Sequence, residues 1–86
     1  MTDPTPSAAD APLFHLEVDA SGLLCPLPIL RAKKALAQLE SGQVLKVVTT
    51  DRNAVRDFQA FARQTGNVLL AQHESGARAE HFLRRR

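Results

Sequence analysis

The chain has 86 residues, 44% of them hydrophobic and 23% charged, with four Phe and neither Trp nor Tyr. That length allows one domain, and the composition separates it from disordered and membrane-spanning chains. Its formal charge is +2, and its single cysteine excludes an internal disulfide, a paired-thiol redox motif and a zinc site built from several cysteines of one chain.

Residues 1–12 hold Pro4, Pro6 and Pro12 among small polar residues, with Asp3 and Asp10, and are predicted to be a disordered extension. They lack the basic-then-apolar pattern of a secretion leader. No stretch approaches the roughly 18 apolar residues of a membrane helix, so a cytoplasmic protein with no membrane partner is expected. Residues 13–86, the predicted domain, carry eleven bases against seven acids, a mild excess that suits an anionic partner without requiring one.

Phe14-His15-Leu16-Glu17-Val18-Asp19 alternates, which predicts a half-buried strand with Phe14, Leu16 and Val18 on one side. A short connection through Gly22 follows, and glycine there can take backbone angles that other residues resist. From Pro26 the period becomes helical. Ile29, Ala32, Leu36 and Leu39 line one face, Arg31, Lys34 and Gln38 the other, and Ser41-Gly42 reads as the stop. Val44 to Thr49 is rich in β-branched residues and predicts a second, central strand.

Asp51 or Asn53 is placed to cap a second helix, whose inner stripe is Val55, Phe58, Ala62 and Thr65 and whose end is Gly66. Val68 to Gln72 predicts a third strand, Glu74 to Ala77 a turn, and Arg78 to Arg84 a fourth strand that runs into the basic end Arg84-Arg85-Arg86. The order β-α-β-α-β-β implies a two-layer α/β sandwich. Its four-stranded mixed sheet carries both helices on one face when the crossovers are right-handed.

Chemistry concentrates in Gly22-Leu23-Leu24-Cys25-Pro26-Leu27-Pro28. Cys25 falls at or beside the N-cap of the first helix, where cysteine is not a favoured cap. Unpaired N–H groups and a partial positive charge at a helix N-terminus favour thiolate over thiol. Pro26 at the first helical position and Pro28 within the first turn stiffen the approach and orient the sulfur. The same residues also read as a small buried hydrophobe beside prolines that merely start a helix.

The stretch from Leu16 to Pro28 resembles the signature of the TusA/SirA-like sulfur-carrier family, a Cys-Pro-x-Pro motif opening the first helix after a short strand and a Gly-Leu step, here Gly22-Leu23. The resemblance continues through Ser41-Gly42-Gln43, Thr50-Asp51, Gly66-Asn67-Val68-Leu69 and the final hairpin, over roughly residues 14–83. It implies a persulfide on Cys25, received from a donor such as a cysteine desulfurase or a rhodanese-like protein and passed to an acceptor sulfurtransferase. No cofactor and no metal are implied. A lone thiol suits that role, because a persulfide with no neighbouring thiol cannot collapse into an internal disulfide. The resemblance also implies a pathway among tRNA thiolation, cofactor sulfuration and sulfur oxidation. Leu24, which departs from the charged or polar residue of several relatives, leaves the branch open.

Asp51 matches an acidic family position and reads as a helix cap, as a residue near the sulfur or as an aid to partner recognition. Arg31, Lys33 and Lys34 read either as a docking patch for an acidic partner or as a solvated face. His15, His73 and His81 have no metal-ligand spacing, although a Cys25–His15 pair across the sheet is conceivable. Two other classes compete with the sulfur carrier: a small basic nucleic-acid-binding module and a regulatory domain. With no Tyr or Trp to stack on bases, and with Phe14, Phe58, Phe61 and Phe82 assigned to the core, stable direct nucleic-acid binding is not expected.

Overall fold

Hydrophobic alternation and two helical stripes resolve into strand β1 (Leu16–Ala20), helix α1 (Leu27–Leu36), strand β2 (Val44–Thr49), helix α2 (Ala54–Thr65), strand β3 (Val68–Ser75) and strand β4 (Arg78–Arg84). This computed structural model describes residues 12–86. The expected disordered extension therefore lies outside the described residues, apart from Pro12. The sheet order is β1-β2-β4-β3. β1 runs parallel to β2 with Val18 opposite Val47, and β4 is antiparallel to both β2 and β3. The expected mixed sheet and element order are both present, with β2 central.

Both helices cover one face of the sheet. Ala32, Ala35 and Leu36 of α1 and Ala54, Phe58, Phe61 and Ala62 of α2 form one core with Leu45, Val47 and Leu83 of the sheet. Leucine, alanine and phenylalanine fill this layer, and its closure supplies the main driving force for so short a chain. The inner stripe of α2 is rotated from the predicted one. Ala54 and Phe61 are buried, while Val55 and Thr65 are only half-buried. Small Ala54 permits close approach to the sheet, and Phe61 packs edge-on to Phe58 with centroids 6.1 Å apart.

The predicted ends shift for local reasons. α1 closes at Leu36, with Ala37 as its C-cap, well before Ser41-Gly42. Its last carbonyls are taken by the tighter bonds Gln38 N–H to Ala35 O and Leu39 N–H to Leu36 O, which still bury Leu39. Gly66 does end α2, at φ +81°, and its N–H closes on Ala62 O. β3 runs on to Ser75, with an irregularity between Leu69 and Ala71 that leaves Leu70 exposed at the edge.

Phe14 departs from the predicted strand face. The chain bends at His15, whose N–H donates to Val44 O at 2.8 Å and whose Nδ1 accepts the Val44 N–H at 3.0 Å. Phe14 therefore turns to the helix-free side of the sheet. Its ring lies 6.3 Å from that of Phe82, with Lys46 Nζ 5.2 Å from its centroid. Lys46 also bridges Glu17 and Glu80 at 3.7 and 3.5 Å. Phe58, Phe61 and Phe82 are buried as expected, but Phe14 is 42% exposed.

Candidate functional site

Two loops meet at the carboxyl ends of the parallel strands β1 and β2, and Cys25 stands between them. The β1–α1 loop is tied to the β2–α2 loop twice. Gly22 N–H donates to Thr50 Oγ1 at 2.8 Å, and Cys25 N–H donates to Asp51 Oδ2 at 2.7 Å. Gly22 has φ +79°, a left-handed conformation that side-chain-bearing residues resist. Leu23 tucks into the core, and Pro28 is buried in the first turn of α1. These are the anchors that leave Cys25 exposed between them. The Cys25–Pro26 peptide is cis.

Asp51 does more than cap. Its Oδ1 accepts the Asn53 N–H at 3.1 Å at the head of α2, while Oδ2 holds the backbone of Cys25. One carboxylate thus joins the helix start to the sulfur-bearing residue. Asn53 occupies the N-cap position without a side-chain capping bond. Asp57 stands in the first turn of α2, and its carboxylate acts on the Cys25 thiol. Nothing in the sequence marks Asp57, because an acid in a first helical turn is ordinary dipole complementation.

The thiol is shifted in the direction opposite to the electrostatic expectation. The Asp57 carboxylate foremost, then desolvation and the charge of Asp51, push the Cys25 thiol above its ordinary value. The helix end has little to set against them. Pro26 is the N-cap rather than the first helical residue, so Cys25 lies one position outside. Pro26 and Pro28 have no N–H, and that of Leu27 is spent on Leu24 O at 2.8 Å. The prolines that stiffen the loop also strip the helix of the donors that would have favoured thiolate.

Apolar side chains near Cys25 in the sequence lie open to solvent. Leu24, Leu27 and Leu30 are 69, 47 and 52% exposed. The expected patch of Arg31, Lys33 and Lys34 is divided. Arg31 and Lys34 line a groove beside Leu16 and Val18 at the β1 edge. Lys33 faces the opposite way, into a cleft of about 510 Å³ with Phe61, Arg85 and Arg86. The basic end sits at the far end of the sheet, where Arg84 pairs with Val44 and Arg85 N–H donates to Gln43 O at 2.8 Å.

The histidines stand apart from Cys25. His15 is bonded at the start of β2, the end opposite Asp51, so the conceivable Cys25–His15 pair does not form. His73 lies on the helix-free face, its ring 5.7 Å from that of Phe82. His81 is fully buried, stacked 4.5 Å from Phe58, and bonded to Thr49 Oγ1 and Gln72 Nε2 at 2.7 and 2.9 Å. Among the described residues, no three His, Cys, Asp or Glu side chains are grouped to hold a metal ion, and no helix is long and apolar enough to cross a membrane.

The fold and the site together define an α/β sandwich that presents a single exposed thiol at the carboxyl ends of its two parallel strands. Comparison with known proteins names the class more narrowly. The family described as Sulfurtransferase TusA matches residues 16–85, and the chain belongs to that family of sulfur carriers. It is 60% identical over 70 residues to the sulfur carrier protein TusA of Allochromatium vinosum, covering 81% of this chain and 91% of that one. It is 34% identical to the TusA of Pseudomonas putida over 86 residues, all of this chain and 98% of the relative. The crystal structure of a SirA-like protein from Desulfitobacterium hafniense superposes with a TM-score of 0.72 at 30% identity, over 81% of this chain and 96% of that one.

Proposed function

We propose that the chain accepts sulfur as a persulfide on Cys25 and hands it to an acceptor protein. The observation that carries this reading is the placement of the chain's only thiol, exposed and anchored at Cys25 N–H by Asp51, in a member of a sulfur-carrier family. Cys25 sulfur attacks the outer sulfur of a donor's cysteine persulfide. The new bond joins Cys25 to that outer sulfur, and the old sulfur–sulfur bond to the donor breaks. The donor's thiol leaves with a proton, so thiol and persulfide simply exchange places and no external oxidant or reductant is needed. The acceptor's thiolate repeats the attack in the second transfer.

With one cysteine in the chain, the loaded sulfur has no internal thiol to expel it. A cytoplasmic relay between a cysteine desulfurase or rhodanese-like donor and an acceptor sulfurtransferase follows, serving tRNA thiolation, cofactor sulfuration or sulfur oxidation. Reduced protein incubated with a cysteine desulfurase and cysteine, or with a rhodanese and thiosulfate, should gain about 32 Da, one sulfur, by intact mass. The gain should be reversed by reductant and absent from Cys25→Ala. No gain with any competent donor, or an equal gain in Cys25→Ala, would refute the reading.

A further inference from the structure

In the sheet order β1-β2-β4-β3 two strands are edges, and they are not alike. β3 is broken by the irregularity between Leu69 and Ala71, a distortion that spoils an edge as a template for further pairing. β1 pairs with β2 from Leu16 to Ala20 in unbroken register, and no described strand lies on its other side. His15 N–H donates to Val44 O, which turns the backbone groups of His15, Glu17 and Asp19 toward β2. Backbone direction alternates along a strand, so the N–H and C=O of Leu16 and Val18 face the open edge. Ala20 keeps the same alternation, its O accepting the Leu23 N–H rather than a β2 donor. Beside this edge runs a groove of about 390 Å³ lined by Leu16, Val18, Arg31, Lys34, Ala35 and Gln38. It holds two cations and no carboxylate, and neither cation is ion-paired among the described residues.

We propose that this edge and groove receive an extended segment of a partner protein as an added strand, bonded to the backbone of Leu16 and Val18 and turning apolar and acidic side chains toward α1. Strand addition draws affinity from main-chain bonds and specificity from alternate side chains. On the α1 side, Leu16, Val18 and Ala35 offer apolar contact, and Arg31 and Lys34 meet carboxylates. On the other face the added strand lies beside Glu17, which is already bridged to Lys46, so threonine or a base fits there and an acid does not. A second copy of this chain is a poor occupant. Two β1 strands laid antiparallel about a two-fold axis set Glu17 and Asp19 of one against the same acids of the other, and crowd both pairs of Arg31 and Lys34 over one groove. β1 runs into the loop that carries Cys25, so a strand seated on it holds the partner's chain beside the thiol. The inference goes beyond the carrier reading and does not depend on it.

The probe is a capped synthetic peptide in which Thr alternates with Val, Glu, Val and Glu, and a second peptide carries Lys for both Glu. Titrated into nitrogen-15-labelled wild type, the Glu peptide should move the Leu16 and Val18 amide protons downfield and slow their exchange with solvent. The Lys peptide should bind roughly tenfold more weakly. Arg31→Glu combined with Lys34→Glu, two exposed positions on α1, should reverse that preference. No change at Leu16 and Val18 with the Glu peptide at about 1 mM would overturn the proposal. Equal binding of the two peptides, a preference that survives the charge swap, or changes confined to Val68 and Leu70 on β3 would overturn it as well. So would Leu16 and Val18 amides whose exchange slows with protein concentration alone, because the occupant would then be a second copy. The readout involves no sulfur, so a protein that binds the peptide yet gains no sulfur refutes only the carrier reading.

Discussion

Lowering the pH toward 5 should draw on the stability held by one buried side chain, His81. His81 is 0% exposed and stacks on Phe58, with one ring nitrogen at Thr49 Oγ1 and the other accepting from Gln72 Nε2. Gln72 Nε2 also donates to Val55 O, so the group that faces the ring has its donors committed. Burial pushes the imidazole from 6.5 down to about 4. The native state therefore refuses a proton that the unfolded chain accepts near pH 6.5. Stability is complete above that pH and declines as pH falls toward 4. The limiting loss is about 3 kcal/mol, and between about pH 7.5 and about pH 5 the integrated loss is about 2 kcal/mol.

Urea denaturation at those two pH values, on wild type and His81→Gln, measures this directly. Glutamine keeps polar atoms near Thr49 but cannot take up a proton, and every other titrating group is common to the two proteins. Wild type should lose about 2 kcal/mol more than the variant on acidification, whatever their absolute stabilities. Equal losses in the two proteins would refute the claim that His81 is held neutral by burial.

Other substitutions test particular joints. Asp51→Ala removes the acceptor for both Cys25 N–H and Asn53 N–H, and should cost about 1 kcal/mol in urea denaturation, with faster amide exchange at Cys25. Gly66→Ala puts a Cβ on a backbone at φ +81° and 3.3 Å from Arg86 Cδ, and a loss of about 1 kcal/mol or more is expected in the same assay. Leu24→Ser combined with Leu27→Ser should change stability by less than about 1 kcal/mol, since both side chains are exposed. It should slow loading from a protein donor while leaving iodoacetamide alkylation unchanged, which separates docking from intrinsic thiol reactivity.

Much of the fold was legible because hydrophobic period is a local property. Alternation over Leu16 to Val18 and the three-four spacing of Ala32, Leu36 and Leu39 name a strand and a helix wherever they occur. The element order then restricts the layers to one arrangement. The rotation of the α2 stripe was not legible, because Ala54 and Val55 are both apolar and only the distance to the sheet decides which is buried. Phe14 was misplaced for a related reason. Alternation continues through it in the sequence, but the Val44 bonds to His15 bend the chain and send its ring to the other face.

For the site, the sequence by itself determined that one thiol exists, that prolines frame it and that it precedes a helix. Those facts are local, and they sufficed to single out Cys25, Pro26 and Pro28. The electrostatic state of that thiol was decided only by tertiary structure. Asp51 and Asp57 lie 26 and 32 positions further along the chain, and no local pattern brings a carboxylate to a sulfur at that separation. Pairing β1 with β2 in parallel aligns the loops at their carboxyl ends and brings the Asp51 carboxylate to Cys25 N–H, and the charges of Asp57 and Asp51 then act on the thiol. Charge acts through distance in space rather than separation in sequence, so the direction in which Cys25 is shifted was settled when the sheet closed.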